Sequence, residues 1–430
     1  MRLALSLVLL LFATPAAAAP LAHREVLPNG IVLLVAERPA VPLVAVRVLI
    51  RAGGVYDPQG RAGLANLTGG LLTRGTVKRT GPELDSAIEF VGGSLEAGAS
   101  RDSLAASLRV LKKDLALGLD LLAEVVLAPT FLEAEVQRKL AEIQASIKRS
   151  DEDPPTVAAR ALTRLVLPNH PYCTPVEGTR ESVARLTRDD VVKFYREHVR
   201  PDAAIVAVVG AVTVAEARQE ILARFGGWQR SAGAPPRVAE AAPGPPPREE
   251  AVARDLTQST IMLGRQAIRQ TNPDYFPLVV ASYVLGGGSA SRLYARVREE
   301  GGLAYTVYSY VSPSKYGSAF IVSAQTRTAE VPRVTAILRE ELLRMTRAPV
   351  TDAELSLAKS YLIGSFPLRL DTSGKVADFA GAIEELGLGL DYADRYKERV
   401  GRVTAPDVLR VARKYFDPEA FNRVVVGKAP

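Results

Sequence analysis

The side chains able to do metal or nucleophilic chemistry are few. Histidine occurs only at His23, His170 and His198, and cysteine only at Cys173. No two of the histidines stand at a spacing that places them on one metal. His170 lies in a Leu-Pro-Asn-His-Pro-Tyr turn and His198 near the end of a helical stretch, so turn and cap roles are expected of them. A lone cysteine forms no internal disulfide, and Cys173 has no arrangement of His and acid around it that would activate a thiol. The glycines Gly286 to Gly288, followed by Ser-Ala-Ser-Arg, fit neither the dinucleotide pattern nor the phosphate-loop pattern. They are expected to form a flexible turn before a helix that Ser289 or Ser291 caps. Arg298 and Tyr305, seven residues apart, are two among many donors of their types, and their spacing alone does not single them out. Guanidinium is a permanent fork of donors, and the phenol adds a directional hydroxyl. Each alone would be ordinary.

The elements that position these residues come in two copies. Leu186 to Gly210 and Val403 to Gly427 align at a constant offset of 217, matching Thr187 with Thr404, Asp190 with Asp407, Pro201 with Pro418 and Gly210 with Gly427. Upstream, Ala134 and Glu135 match Ala353 and Glu354 at an offset of 219. In each block a threonine N-cap opens a helix, a proline stops it, and a Val-rich strand follows. Leu104, Ala106, Leu108 and Val110 alternate as a strand, whereas Leu115, Leu119, Leu122 and Val126 keep helical spacing. Ile31 to Val35 and Leu43 to Ile50 are early strands. Such irregular mixing predicts an α+β fold, two homologous domains each built on a largely antiparallel sheet packed with helices. The alternative is a doubly wound α/β fold.

Between the copies, residues 231–248 are dense in Pro, Ala and Gly, with almost nothing that could pack a core, and read as a semi-rigid linker. The expected division is therefore a domain over 20–230, the linker, and a second domain over 249–430. Residues 1–19 carry one cation, an apolar run, a proline break and small residues, and read as a signal peptide of an exported, soluble protein. The run is too short to span a bilayer, and no comparable stretch follows it. The formal charge is +7, but 54 Lys and Arg are interspersed with 47 Asp and Glu. A solvated Arg-rich surface, rather than a nucleic-acid site, follows.

Three segments carry a resemblance. Gly63 to Thr76 reads GLANLTGGLLTRGT, Leu167 to Thr179 reads LPNHPYCTPVEGT, and Leu285 to Ser309 reads LGGGSASRLYARVREEGGLAYTVYS. In this order, and together with the duplication and linker, they resemble the pitrilysin and insulinase metallopeptidases over essentially the whole mature chain. In that family the first segment carries H-x-x-E-H, whose histidines hold zinc and whose Glu activates its water. Here those positions are Asn66, Gly69 and Gly70. An amide oxygen is a poor zinc ligand and glycine offers none, so this helix cannot supply the two-His half of a zinc site. Whether two adjacent glycines kink the helix is open. Glu142 stands where the family has its third ligand, yet one carboxylate without two imidazoles will not retain zinc.

The resemblance also implies that Arg298 and Tyr305 hydrogen-bond a substrate carbonyl and help stabilise the tetrahedral intermediate. It implies that chains or half-chains face each other around a chamber. Complementary loss and retention therefore point to the non-catalytic subunit of a two-chain zinc endopeptidase. No zinc is expected on this chain. Zinc would reside in a partner subunit bearing H-x-x-E-H, and the substrate would be a peptide or an unfolded segment in the periplasm. The alternative is a peptidase-like scaffold or peptide-binding protein that takes no part in hydrolysis.

Overall fold

A computed structural model describes residues 20–230, 233 and 236–428. The segment read as a signal peptide and four linker residues, Ser231, Ala232, Ala234 and Pro235, lie outside the described residues. Eleven strands are present among the described residues: β1 (His23–Val26), β2 (Val32–Glu37), β3 (Leu43–Ile50), β4 (Ser94–Ala99), β5 (Leu104–Leu111), β6 (Ala204–Gly210), β7 (Glu249–Ala253), β8 (Gln258–Ala267), β9 (Ala304–Ser312), β10 (Ser318–Arg327) and β11 (Asn422–Gly427). They form two sheets, ordered β1-β2-β6-β3-β5-β4 and β7-β11-β8-β10-β9. All pairings are antiparallel except β2 with β6 and β7 with β11. The duplicated Val-rich strands, β6 and β11, hold the same place in their sheets. The fold is α+β, two helix-packed sheets, as the mixed periodicity predicts.

The copied helices begin as the sequence requires. Thr187 and Thr404 each accept a bond from the backbone N–H three residues on, and Asp190 and Asp407 return it to the threonine N–H. This reciprocal cap satisfies two amides that the helix leaves unpaired. The helix predicted from Leu115 onward spans Leu115–Leu127.

Strands β3 and β6 are buried on both faces, which is why they read as continuous apolar runs. One face of the first sheet packs Val44, Val46, Val48 and Val208 into its own helical core. The other face presents Leu34, Ala45, Leu49, Ile205 and Val209 to Val376, Ala377 and Ala380, from the helix Ser373–Glu385 of the second half. The second sheet receives the converse. Its Met262, Val424 and Val426 pack against Ala158, Leu162 and Val166 of the helix Pro154–Val166, which belongs to the first half. At the 219-residue offset these two helices are the same element of the duplication. Each half thus covers the sheet of the other, and a fully buried Leu, Ile or Val in these layers contributes about 1.5–3 kcal/mol.

The linker adheres more closely than its composition suggests. Ala241 N–H donates to Tyr316 O at 2.7 Å, Ala239 O accepts from His170 at 3.1 Å, and Val238 and Ala241 are partly buried on the layer beneath. Two small apolar side chains are enough for an extended segment pinned by its own backbone.

The metal-less helix and the arginine pair of the second half

The helix that carries the degenerate frame spans Leu64–Leu71. Asp57 holds its first turn by accepting from Gly63 N–H and Ala65 N–H, both at 2.8 Å. Burial pushes the Asp57 carboxyl up to about 7, against the pull of those amides, which favour the carboxylate. Gly69 and Gly70 do not produce a kink. The helix ends one residue after them, with Leu72 N–H reaching back to Gly69 O at 3.4 Å in a tightened last turn.

The two glycines meet different neighbours. A Cβ at Gly69 would lie 2.6 Å from the carbonyl carbon of Gly98 and 2.9 Å from Ala99 N, both backbone atoms of β4. Helix and edge strand have closed on the place where the family's Glu would project. A Cβ at Gly70 would meet only the end of Lys139, its Cε at 2.6 Å and Nζ at 3.5 Å. Lys139 rises from the helix Glu133–Asp151 together with Glu142, and its ammonium lies 3.0 Å from the Glu142 carboxylate. Arg138 bonds the other oxygen at 2.8 Å. These contacts, the Lys139 hydrogen bond first, hold the Glu142 carboxyl below its ordinary range. An ammonium thus neutralises the one carboxylate left of the ligand set, and the residues present do not fit zinc. Among the described residues no cluster of three His, Cys, Asp or Glu is placed to hold a metal.

The same substitution at adjacent residues should therefore have opposite effects. Gly69→Ala drives a methyl into rigid backbone and should destabilise by about 1–3 kcal/mol. Gly70→Ala displaces only a flexible lysine tip and should stabilise by up to about 1 kcal/mol through helix propensity. Urea unfolding of both variants decides this, and equal shifts would refute the close approach.

His23 is exposed on β1, and His198 is buried at the end of the helix Arg188–His198 between Tyr56 and Phe194. His170 is buried as well. Its Nδ1 accepts from Tyr172 N–H at 3.1 Å, which leaves Nε2–H to donate to Ala239 O. The expected turn role is correct for His170, and the turn also holds the linker. Tyr172 donates its hydroxyl to Asp102 and accepts from Tyr316 N–H at 3.4 Å, joining the halves. The Cys173 thiol lies 3.7 Å from Thr174 Oγ1.

Burial holds both His170 and His198 below the usual histidine value. Each therefore contributes stability that is whole above about pH 6.5 and is lost as pH falls through its folded value. Burial pushes Asp102 and Glu385 up, which gives an opposite slope, because their contribution is whole below about pH 4 and is lost as pH rises. A difference measurement separates the two. His170→Asn retains an acceptor near Nδ1 and cannot be protonated, so its stability relative to the natural chain should rise between pH 7 and pH 5. An unchanged difference would mean that His170 does not titrate in this window.

In the second half the helix Tyr275–Gly286 runs to the first of the three glycines, and Gly286 packs on Ser309 N, where a Cβ would come to 2.6 Å. The expected flexible turn is in part a close contact. Ser291 holds the position before the helix, its O accepting from Ala295 N–H at 3.0 Å, but its hydroxyl donates back to Gly288 O at 2.6 Å instead of capping a helix N–H, and a π-helix follows at Tyr294–Glu300. Within it Tyr294 lies against Arg298, whose guanidinium carbon is 4.9 Å from the centre of the Tyr294 ring. It also stands 4.7 Å from the centre of the Tyr305 ring. Tyr305 occupies an irregularity of its own. Thr306 pairs with Gln325 and Ala304 with Thr326, so Tyr305 is the extra residue of a β-bulge on the free edge of the second sheet. The bulge turns its ring outward, 80% exposed.

The resemblance named Arg298 and Tyr305; it did not show Tyr294 or Lys139. The i, i+4 step from Tyr294 to Arg298 was visible and is a spacing at which helical side chains meet, but nothing in the sequence marked it for use. The Lys139 ammonium beside Gly70 needs the tertiary packing of two helices. Arg298 has no carboxylate partner among the described residues. Its contacts with the two rings leave guanidinium N–H groups to meet an incoming oxygen.

Residues 32–180 match the family model for the insulinase (peptidase family M16) domain, and residues 185–362 that for the peptidase M16 inactive domain. An uncharacterized zinc protease of Mycobacterium bovis is 31% identical over 410 residues, 93% of this chain and 92% of its own length. One from Streptomyces coelicolor is 29% identical over 91% of this chain and 86% of its own length. Among solved structures, a peptidase M16 inactive domain from Pseudomonas fluorescens superposes with a TM-score of 0.90 at 23% identity, over 95% of this chain and 98% of that one. A Helicobacter pylori protease gives 0.87 at 22% identity, over 95% and 99%. With its fold, its matched halves and a full-length relative above 30% identity, the chain belongs to the insulinase family of peptidases, and within it the zinc-helix frame has lost its metal-binding residues.

Proposed function

We propose that this chain is the non-catalytic subunit of a two-chain zinc endopeptidase, acting on peptides or unfolded segments. The observation that carries the reading is the state of the two halves. The zinc frame is emptied and closed by Gly98 and Lys139, while Arg298 and Tyr305 are presented by two irregular elements, a π-turn and an edge bulge, of the kinds that re-aim side chains at functional sites. A chain that only kept the fold would have no need of either irregularity.

In this reading the partner supplies zinc, its two histidines, the distal Glu and the water-activating Glu. This chain supplies donors for the substrate carbonyl as negative charge develops on it, where preorganised hydrogen bonds act most strongly. Tyr294, 4.9 Å from the guanidinium carbon, helps to hold Arg298 in place. No helix among the described residues is long and apolar enough to cross a membrane, and the N-terminal segment supports export, so we place the pair in the periplasm.

The test is native purification of the mature chain from its own cell envelope, with mass spectrometry of what accompanies it. The expected result is a stoichiometric second family member bearing H-x-x-E-H and a distal Glu, with chelator-sensitive peptidase activity in the eluate. Recovery of this chain alone, or with unrelated envelope proteins, would overturn the split-enzyme reading in favour of a scaffold or peptide-binding role.

A further inference from the structure

The second half carries a half-open cavity of about 350 Å³ that the hydrolytic reading does not use. It lies between the helices Tyr275–Gly286, Ser373–Glu385 and Tyr392–Arg402 and the strand β9. Val279, Leu362, Phe379, Ile383 and Leu386 give it apolar walls. Its other residues are polar in a directed way. Tyr275, Tyr392 and Tyr396 are 7%, 4% and 5% exposed, and burial pushes all three phenols up, so they stand as neutral hydroxyl donors. Tyr275 accepts from Gln270 Nε2 at 3.2 Å, which leaves its own proton to give. The hydroxyls of Tyr392 and Tyr396 make no hydrogen bond to a protein group among the described residues and are not among the buried unpaired atoms, so they face the solvent of the pocket and can turn to an incoming acceptor. At the rim stands Arg369, exposed, without an ion pair among the described residues, its charge reaching all three phenols. Gln270 supplies the opposite need. Its Oε1 is buried with no hydrogen-bond partner, an acceptor that normally costs free energy unless a donor arrives.

We infer that this cavity binds the C-terminal residue of a peptide. The carboxylate meets Arg369 and the tyrosine hydroxyls, the last amide N–H meets Gln270 Oε1, and an aromatic or branched aliphatic side chain fills the apolar walls. Each part of the ligand answers a group that the protein leaves open. A carboxylate answers a guanidinium and hydroxyls that lack acceptors. An N–H answers the orphan carbonyl oxygen, and this separates a peptide from a free fatty or aromatic acid, which has a carboxylate and apolar body but no such donor. The volume is at the small end for ligand pockets and suits one large residue rather than a folded domain.

The assignment needs no partner chain, so it stands or falls separately from the split-enzyme reading. The probes are acetyl-Gly-Gly-Gly-Phe as free acid, the same peptide as C-terminal amide, and 3-phenylpropionate, each titrated calorimetrically into the mature chain. The acid should bind at least about 10-fold more tightly than the amide, the lower end for a charge-assisted hydrogen bond. It should also bind more tightly than 3-phenylpropionate. Arg369→Gln, on an exposed turn where folding is not at stake, should bring acid and amide to equal affinity. Gln270→Leu should erase the advantage of the peptide over 3-phenylpropionate. Equal binding of acid and amide to the natural chain, no binding of any probe at millimolar concentration, or an acid preference that survives Arg369→Gln would each overturn the inference. Tighter binding of 3-phenylpropionate than of the peptide would overturn it in favour of free apolar acids.

Discussion

Replacing Arg298 with alanine in the assembled pair should lower peptide turnover by about 10- to 1000-fold, the range that follows loss of one oxyanion donor, while zinc content stays unchanged. The geometry makes the prediction more specific than a loss of charge. Arg298→Lys keeps a cation but has neither a planar fork nor a flat face to lie against Tyr294 and Tyr305, so it should recover little. Tyr305→Phe keeps the ring against Arg298 and removes only the hydroxyl, so its deficit should be smaller than that of Tyr305→Ala, which removes both. Because these interactions belong to the transition state, kcat should fall more than KM rises. Full turnover in both Arg298→Ala and Tyr305→Ala would remove this chain from the chemistry.

Restoring the two imidazoles should not by itself restore a metal. Asn66→His with Gly70→His supplies the missing ligands, but the Lys139 ammonium still lies beside position 70 and still holds Glu142. Unit charges 4 Å apart interact by about 4 kcal/mol at an effective dielectric of 20, and a dication doubles this. Adding Lys139→Ala removes the repulsion and one of the two cations on Glu142, leaving it only the more exposed Arg138. Zinc affinity, measured by competition with a chelating dye, should therefore rise at least about 10³-fold between the double and the triple variant. Comparable binding by both would show that Lys139 does not guard the site. The triple variant is expected to hold zinc without hydrolysing peptide, because Gly69 leaves no base and β4 leaves no room for one.

Much of this architecture was legible because duplication supplied two readings of each element. The threonine caps, the helix from Leu115 and the strands at Leu43 and Leu104 follow from local rules that tertiary structure did not override. The functional residues were legible for a different reason: Arg298 and Tyr305 were named by a resemblance, not by any periodicity. What the residues could not disclose was non-local. Whether Gly69 and Gly70 kink a helix depends on Gly98 and Lys139, distant in the chain. Ser291 does precede a helix, but its hydroxyl is drawn back to Gly288 O by the glycine turn, which local capping rules do not foresee. The linker looked free of packing because its few apolar side chains are small, whereas its attachment is made largely by backbone groups.

The exchange of the helices Pro154–Val166 and Ser373–Glu385 has a mechanical consequence. A sheet whose outer layer is supplied by the other half cannot rotate away from that half without baring Leu34, Leu49, Ile205 and Val209 on one side and Met262, Val424 and Val426 on the other. The chain is therefore one rigid wall rather than two leaves on a hinge, despite its internal repeat. If a chamber is to open and admit substrate, the joint that moves must lie between this chain and its partner. Substrate entry then becomes a property of how tightly two subunits associate, and mutations at their contact would tune access without touching a residue of the reaction centre.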